Sequence, residues 1–115
     1  MDRLHYAGNS VVTGTAIAHA LLDYAQALAE AGTAATVEIP TVNDDGSRGR
    51  SEVLIGPASQ LIADSEESPY EEVVDEELVA NLLETAARVR NDSGPGPQAG
   101  MIDDADLSGS YSDDF

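Results

Sequence analysis

The chain has 115 residues, 42% of them apolar, and sets 22 Asp and Glu against five cations, all Arg, for a formal charge of −17. That length suits one domain. That charge repels phosphate backbones and anionic bilayers, so no nucleic-acid or membrane partner is expected. There is no Cys, hence no disulfide framework and no thiolate metal site.

The opening MDRLHYAGNS lacks an apolar signal core. No run approaches the ~18 apolar residues of a membrane span. A cytoplasmic location is the expectation. Arg3 to Ala7 alternates loosely and suggests a short strand, followed by a turn at Gly8-Asn9-Ser10. Val11-Val12 then leads into the strongest signal in the chain. From Thr13 to Gly32, Ile17, Leu21, Tyr24 and Leu28 recur at helical spacing, with Ala20, Ala25 and Ala31 widening the stripe. The spacing predicts a helix over Thr15–Ala31. The Thr13 or Thr15 hydroxyl is the expected cap, and Gly32 is the left-handed stop.

Ala34 to Val42 reads as a strand, with Val37 and Ile39 on one side, interrupted by Pro40. Pro has no N–H, so the strand is expected at a sheet edge or to end there. Asn43 to Ser47 is turn chemistry, and Arg50 to Ile55 is the returning strand of a hairpin. Ser59 to Ala63 is expected as a third strand continuing the meander. Two starts compete for the second helix. Ser68, Pro69 and Glu71 form a capping-box pattern, and Asp75 precedes Glu76 and Glu77. Either way the helix runs to about Arg90 on an apolar stripe of Val74, Leu78, Leu82, Ala86 and Val89.

Beyond Arg90, NDSGPGPQAG is rich in breakers, and MIDDADLSGSYSDDF has no periodic apolar face. Residues 91–115 are expected to be a disordered acidic tail on a single domain of residues 1–90. The expected class is α+β, a small antiparallel sheet of three to four strands packed by two helices in the order (β)αβββα. Val37, Ile39, Val53, Ile55, Ile17, Leu21, Leu28, Leu78 and Leu82 are its expected core.

Chemistry is sparse. His19 lies four residues before Asp23, so the two can face each other as a base and its orienting carboxylate, or as a solvated surface pair. No nucleophile motif, phosphate cradle or calcium loop is present. No catalytic residue, cofactor or metal site is therefore expected. The carboxylates Glu66, Glu67, Glu71, Glu72, Asp75, Glu76 and Glu77 cluster without ligand spacing.

Two resemblances accompany these residues. The order helix, three strands, helix resembles the double-stranded-RNA-binding fold. That family grips RNA with Lys and Arg, which this chain lacks where Glu76 and Glu77 open the second helix. The ending Tyr111-Ser112-Asp113-Asp114-Phe115 is similar to the acidic tip of bacterial single-stranded-DNA-binding proteins, without the Pro before the final Phe. That resemblance implies docking on basic, apolar pockets of partner proteins.

The reading from sequence is a non-catalytic acidic interaction module that binds a basic protein partner, as an immunity protein, antitoxin or accessory subunit does. Its expected contact residues are Glu71, Glu72, Glu76 and Glu77 on the helix side and Ile102, Leu107, Tyr111 and Phe115 in the tail. The acidity also fits simple solvation or the composition of a bacterial host. The alternatives are a homo-oligomer pairing through the sheet edge near Pro40, or a small enzyme using His19 and Asp23.

Overall fold

The computed structural model describes residues 1–58 and 60–93. The element order is β1 (Asp2–Tyr6), β2 (Asn9–Thr13), α1 (Thr15–Ala31), β3 (Ala35–Val42), β4 (Arg48–Ile55), β5 (Leu61–Ser65) and α2 (Glu76–Ser93). The five strands form one antiparallel sheet in the order β4-β3-β2-β1-β5. The class is α+β as expected, with one strand more than the upper count.

The extra strand is β2. The turn before it is Ala7-Gly8 rather than Gly8 to Ser10, and both residues have positive φ, 52° and 84°. This is the type I′ pattern whose twist suits a two-residue hairpin. Ala is a poor residue for it, which is why the turn was not legible one position earlier. Arg3 then faces Val12, and Leu4 faces Val11.

α1 has the expected bounds. Ile17, Ala18, Ala20, Leu21, Tyr24, Ala27 and Leu28 are buried. Gly32 takes φ 70°, and the N–H groups of Gly32 and Thr33 reach the carbonyls of Ala29 and Leu28 at 3.2 and 3.1 Å. This Schellman closure satisfies carbonyls that the helix end leaves open. The expected hydroxyl cap at the other end is absent. Gly14 is the N-cap, Thr13 Oγ1 donates to the Pro40 carbonyl at 2.7 Å, and Thr15 Oγ1 donates to Asp2 Oδ1 at 2.7 Å.

β3 and β4 form the expected hairpin, closed by Asn43 to Ser47 with Gly46 at φ 88°. β3 lies between β4 and β2, so Pro40 is neither on an edge strand nor at its strand's end, and sits opposite Arg50. Its carbonyl points to Thr13, on the β2 side, so its missing N–H also faces that side. There β2 and β3 pair at Val12–Val42 alone, and no ladder bond is lost.

β5 does not continue the meander beside β4. It crosses to the other edge and pairs with β1, Leu4 facing Ala63. α2 begins at Glu76. Asp75 Oδ1 accepts the Leu78 N–H at 3.0 Å, so Asp75 is the cap and Ser68 is not. The later start leaves Val74 exposed and Val73 buried, while Leu78 is half-buried. α2 packs on α1, and Leu82 and Ala86 join the core with Leu4, Val12, Ile39 and Ile55. The other expected core residues are buried as read from sequence.

Candidate functional site

Residues 66–75 run from β5 to α2 as an acidic strap, and the fold holds it at several points. The Glu66 carboxylate meets Arg3 in a two-pronged pair, Nε to Oε1 at 2.7 Å and Nη2 to Oε2 at 2.9 Å. The Tyr70 ring lies against Gly46, where an added Cβ would fall 2.4 Å from the ring. The Tyr70 hydroxyl donates to the Asp44 carbonyl at 3.3 Å. Arg48 Nη2 donates to the Glu71 carbonyl at 2.9 Å.

The tightest point is the start of α1. The Thr15 N–H donates to Glu72 Oε2 at 2.7 Å, and the Met1 amino group lies 3.1 Å from Glu72 Oε1. Glu72 therefore supplies the carboxylate that the first turn of α1 lacks, where an anion is favoured by open N–H groups and the helix dipole. A Cβ on Gly14 would lie 1.8 Å from the Val73 carbonyl oxygen, so backbone passes against backbone there. The φ of Gly14, −66°, suits any residue, and it is space that requires glycine.

These contacts shift titration. The Thr15 N–H, then the Met1 ammonium, hold the Glu72 carboxyl below its ordinary value of 4.5. The Arg3 guanidinium does the same for Glu66 and is itself raised by that bond. In the β3–β4 turn, the Ser47 hydroxyl and N–H lower Asp45.

The expected His19–Asp23 pair does not form. His19 Nε2 lies 3.5 Å from Asp2 Oδ2, and Asp2 is buried at 3% exposure beside Thr15. Asp23 is taken by Arg90, with Nη2 at 3.0 Å from Oδ1 and 3.2 Å from the Asp23 carbonyl, tying α2 to α1. The Asp23 bond in turn raises Arg90. The base and orienter read from i,i+4 spacing are thus engaged elsewhere. Among the described residues no group of three His, Asp or Glu is placed to hold a metal ion.

All five Arg side chains are held by acidic neighbours or a carbonyl: Arg3 by Glu66, Arg48 by the Glu71 carbonyl, Arg50 by Glu38, Arg88 by Glu84, and Arg90 by Asp23. The carboxylates of Glu67, Glu71, Glu76 and Glu77 remain exposed around the strap and the first turn of α2. Of the residues expected to meet a partner, Glu72 is engaged inside the fold, and Glu71, Glu76 and Glu77 face solvent. Ile102, Leu107, Tyr111 and Phe115 lie outside the described residues, as does the expected disordered tail from residue 94 on, while residues 91–93, expected in that tail, are the last of α2.

A second feature was not read from sequence. β3–β4 is joined to the other strands at Val12–Val42 and again where the Tyr6 hydroxyl donates to the Leu54 carbonyl. Between these points is a cleft lined by Leu4, Tyr6, Val11, Leu21, Glu52 and Val53 among others. It depends on how two hairpins sit relative to each other, which no local pattern encodes.

Comparison with protein-family models, with curated proteins and with solved structures finds no match. Among the described residues no helix is long and apolar enough to cross a membrane.

Proposed function

We infer that the chain is a non-catalytic interaction module that binds a basic protein partner through the exposed carboxylates of Glu67, Glu71, Glu76 and Glu77. One observation carries this reading: four of the five Arg pair with other carboxylates of the fold and Arg48 is held by the Glu71 carbonyl, while these four carboxylates form no ion pair among the described residues. The field over this face is therefore negative, which steers and orients a cationic surface. The tail residues Ile102, Leu107, Tyr111 and Phe115 belong to the same reading as apolar anchors set among acidic ones. Immunity proteins, antitoxins and acidic accessory subunits are the settings that use such a surface, and the cytoplasm is the compartment this reading assumes. The test is the salt dependence of binding to an Arg- and Lys-rich peptide. Affinity that falls steeply with salt supports the reading, and affinity independent of salt contradicts it.

The edge of β4 at Arg50 and Glu52 favours a second reading, self-association. Because the Pro40 carbonyl faces β2, the Pro40–Arg50 pair is a non-hydrogen-bonded one. The N–H and C=O groups of Arg50 and Glu52 then point away from β3. A second copy paired about Ser51 would set Arg50 opposite Glu52. Light scattering distinguishes the readings, since a monomer at all practical concentrations rules out this one.

A further inference from the structure

Arg48 is the one Arg that no carboxylate pairs with among the described residues, and its Nη2 donates to the Glu71 carbonyl instead. Arg50 lies two residues on, so both side chains project from the same face of β4. Arg50 is held by Glu38 at 3.2 Å, and both side chains of that pair are 58% exposed. An exposed pair of this kind is weak and exchanges with other anions. The two Arg line a depression of about 520 Å³ between β4 and the strap, shared with Pro40 and Val74. Val74 is apolar and left 67% exposed. Glu72 is the one acidic residue lining the depression, and its carboxylate is already bonded to the Thr15 N–H and the Met1 amino group.

Two cations beside bare apolar surface are complementary to an acidic segment that carries an apolar group. The chain has such a segment outside the described residues. Residues 94–115 hold five Asp and no Arg, and Asp113-Asp114 stand directly before Phe115. The reach fits as well. The strap leads straight into α2, so the depression lies by the start of that helix, and the segment departs from its other end. α2 has 18 residues and spans about 27 Å. About 20 residues run from Ser93 to Asp113, and a flexible chain of that length has a root-mean-square end-to-end distance of about 25 Å. A tether whose mean reach matches the span holds its end at high effective concentration, so weak contacts suffice.

We propose that this depression is the docking site of the chain's own C-terminal segment, with Asp113 and Asp114 on Arg48 and Arg50 and the Phe115 ring on Val74 and Pro40. The proposal goes beyond the partner reading and does not depend on it. The tail is held by the domain when no partner is bound, and a basic partner competes with Arg48 and Arg50 for the same Asp residues.

The test is paramagnetic broadening in NMR spectra of the full chain at low salt. The chain has no Cys, so Ser112→Cys carries a single nitroxide label. Broadening is expected at the Val74 methyls and the Gly49 amide, to the same extent at every dilution. Arg48→Gln is expected to lower the ratio of docked to free tail roughly threefold. Asp113→Asn with Asp114→Asn is expected to lower it at least as far, and this variant leaves every described residue as it is. Should Arg48→Gln fail to fold, the Asn variant still decides. Val74 methyls that stay sharp, or broadening undiminished in the Asn variant, overturn the proposal. An isotope-labelled chain mixed with a spin-labelled chain free of isotope tests the other occupant. Broadening as strong in that mixture as in the single labelled chain places the tail of a second copy on the depression, and overturns the proposal too.

Discussion

The strap and the first turn of α2 adjoin in sequence and are built from the same acidic residues, but their carboxylates are used differently. Glu66, Glu72 and Asp75 each accept bonds from a defined donor: the Arg3 guanidinium, the Thr15 N–H and the Leu78 N–H. Glu76 and Glu77, one and two residues further on, face water. Glu66 and Glu72 tie the strap to β1 and α1, far away along the chain, and Asp75 caps the helix it precedes. The second set interacts with the dipole of its own helix and with whatever approaches. The contrast teaches that net charge describes neither group. What separates them is whether an unsatisfied N–H or a guanidinium lies within reach.

The comparison can be broken at several points. The largest effect is expected from Gly14→Ala. The new methyl meets the Val73 carbonyl and pushes the strap off α1, at a cost of about 2–3 kcal/mol in urea denaturation. A loss below about 0.5 kcal/mol would mean that the strap is not seated. Glu72→Gln comes next, at about 1 kcal/mol, the size of a lost helix cap.

Glu72 also has a pH signature. Its folded carboxyl lies below the unfolded value of 4.5, so its contribution is full above pH 4.5 and is lost as pH falls through the lower folded value. Glu66 acts in the same direction. Acid titration of stability should therefore be less steep in Glu72→Gln than in the parent chain. Asp75→Ala should also cost about 1 kcal/mol, but without loosening α1, which hydrogen exchange of the first turn can separate. The smallest effect is expected from Glu76→Gln with Glu77→Gln. Their loss costs about 0.5 kcal/mol or less each, since only the helix dipole is served.

What could be read from the sequence was local. α1 was legible because Ile17, Leu21, Tyr24 and Leu28 repeat at one period and Gly32 ends the run. The β3–β4 hairpin was legible from Val37 and Ile39, the Asn43–Ser47 turn, and Val53 and Ile55. β2 was missed because Ala7 occupies a position where turn residues are usually Asn or Gly, and because only Val11 and Val12 mark the strand. The place of β5 beside β1 was missed because a short strand carries no sign of which edge it joins. The site was less legible still. Glu72 stands 57 residues from the N–H it caps, so its role was invisible to any window. His19 and Asp23 had the right spacing but were claimed by Asp2 and Arg90, partners brought in by the fold. Asp75 was readable as a cap, since its donor lies three residues ahead.

The central claim is that structural and interacting carboxylates are different residues. The most direct test measures thermal stability and affinity for one Arg- and Lys-rich peptide on two variants, Glu72→Gln and the double variant Glu76→Gln/Glu77→Gln. The account predicts that Glu72→Gln melts earlier and binds as the parent does, and that the double variant melts closer to the parent than Glu72→Gln does and binds more weakly with a shallower salt dependence. If Glu72→Gln loses the peptide, or if the double variant keeps its full affinity, the division drawn here is contradicted.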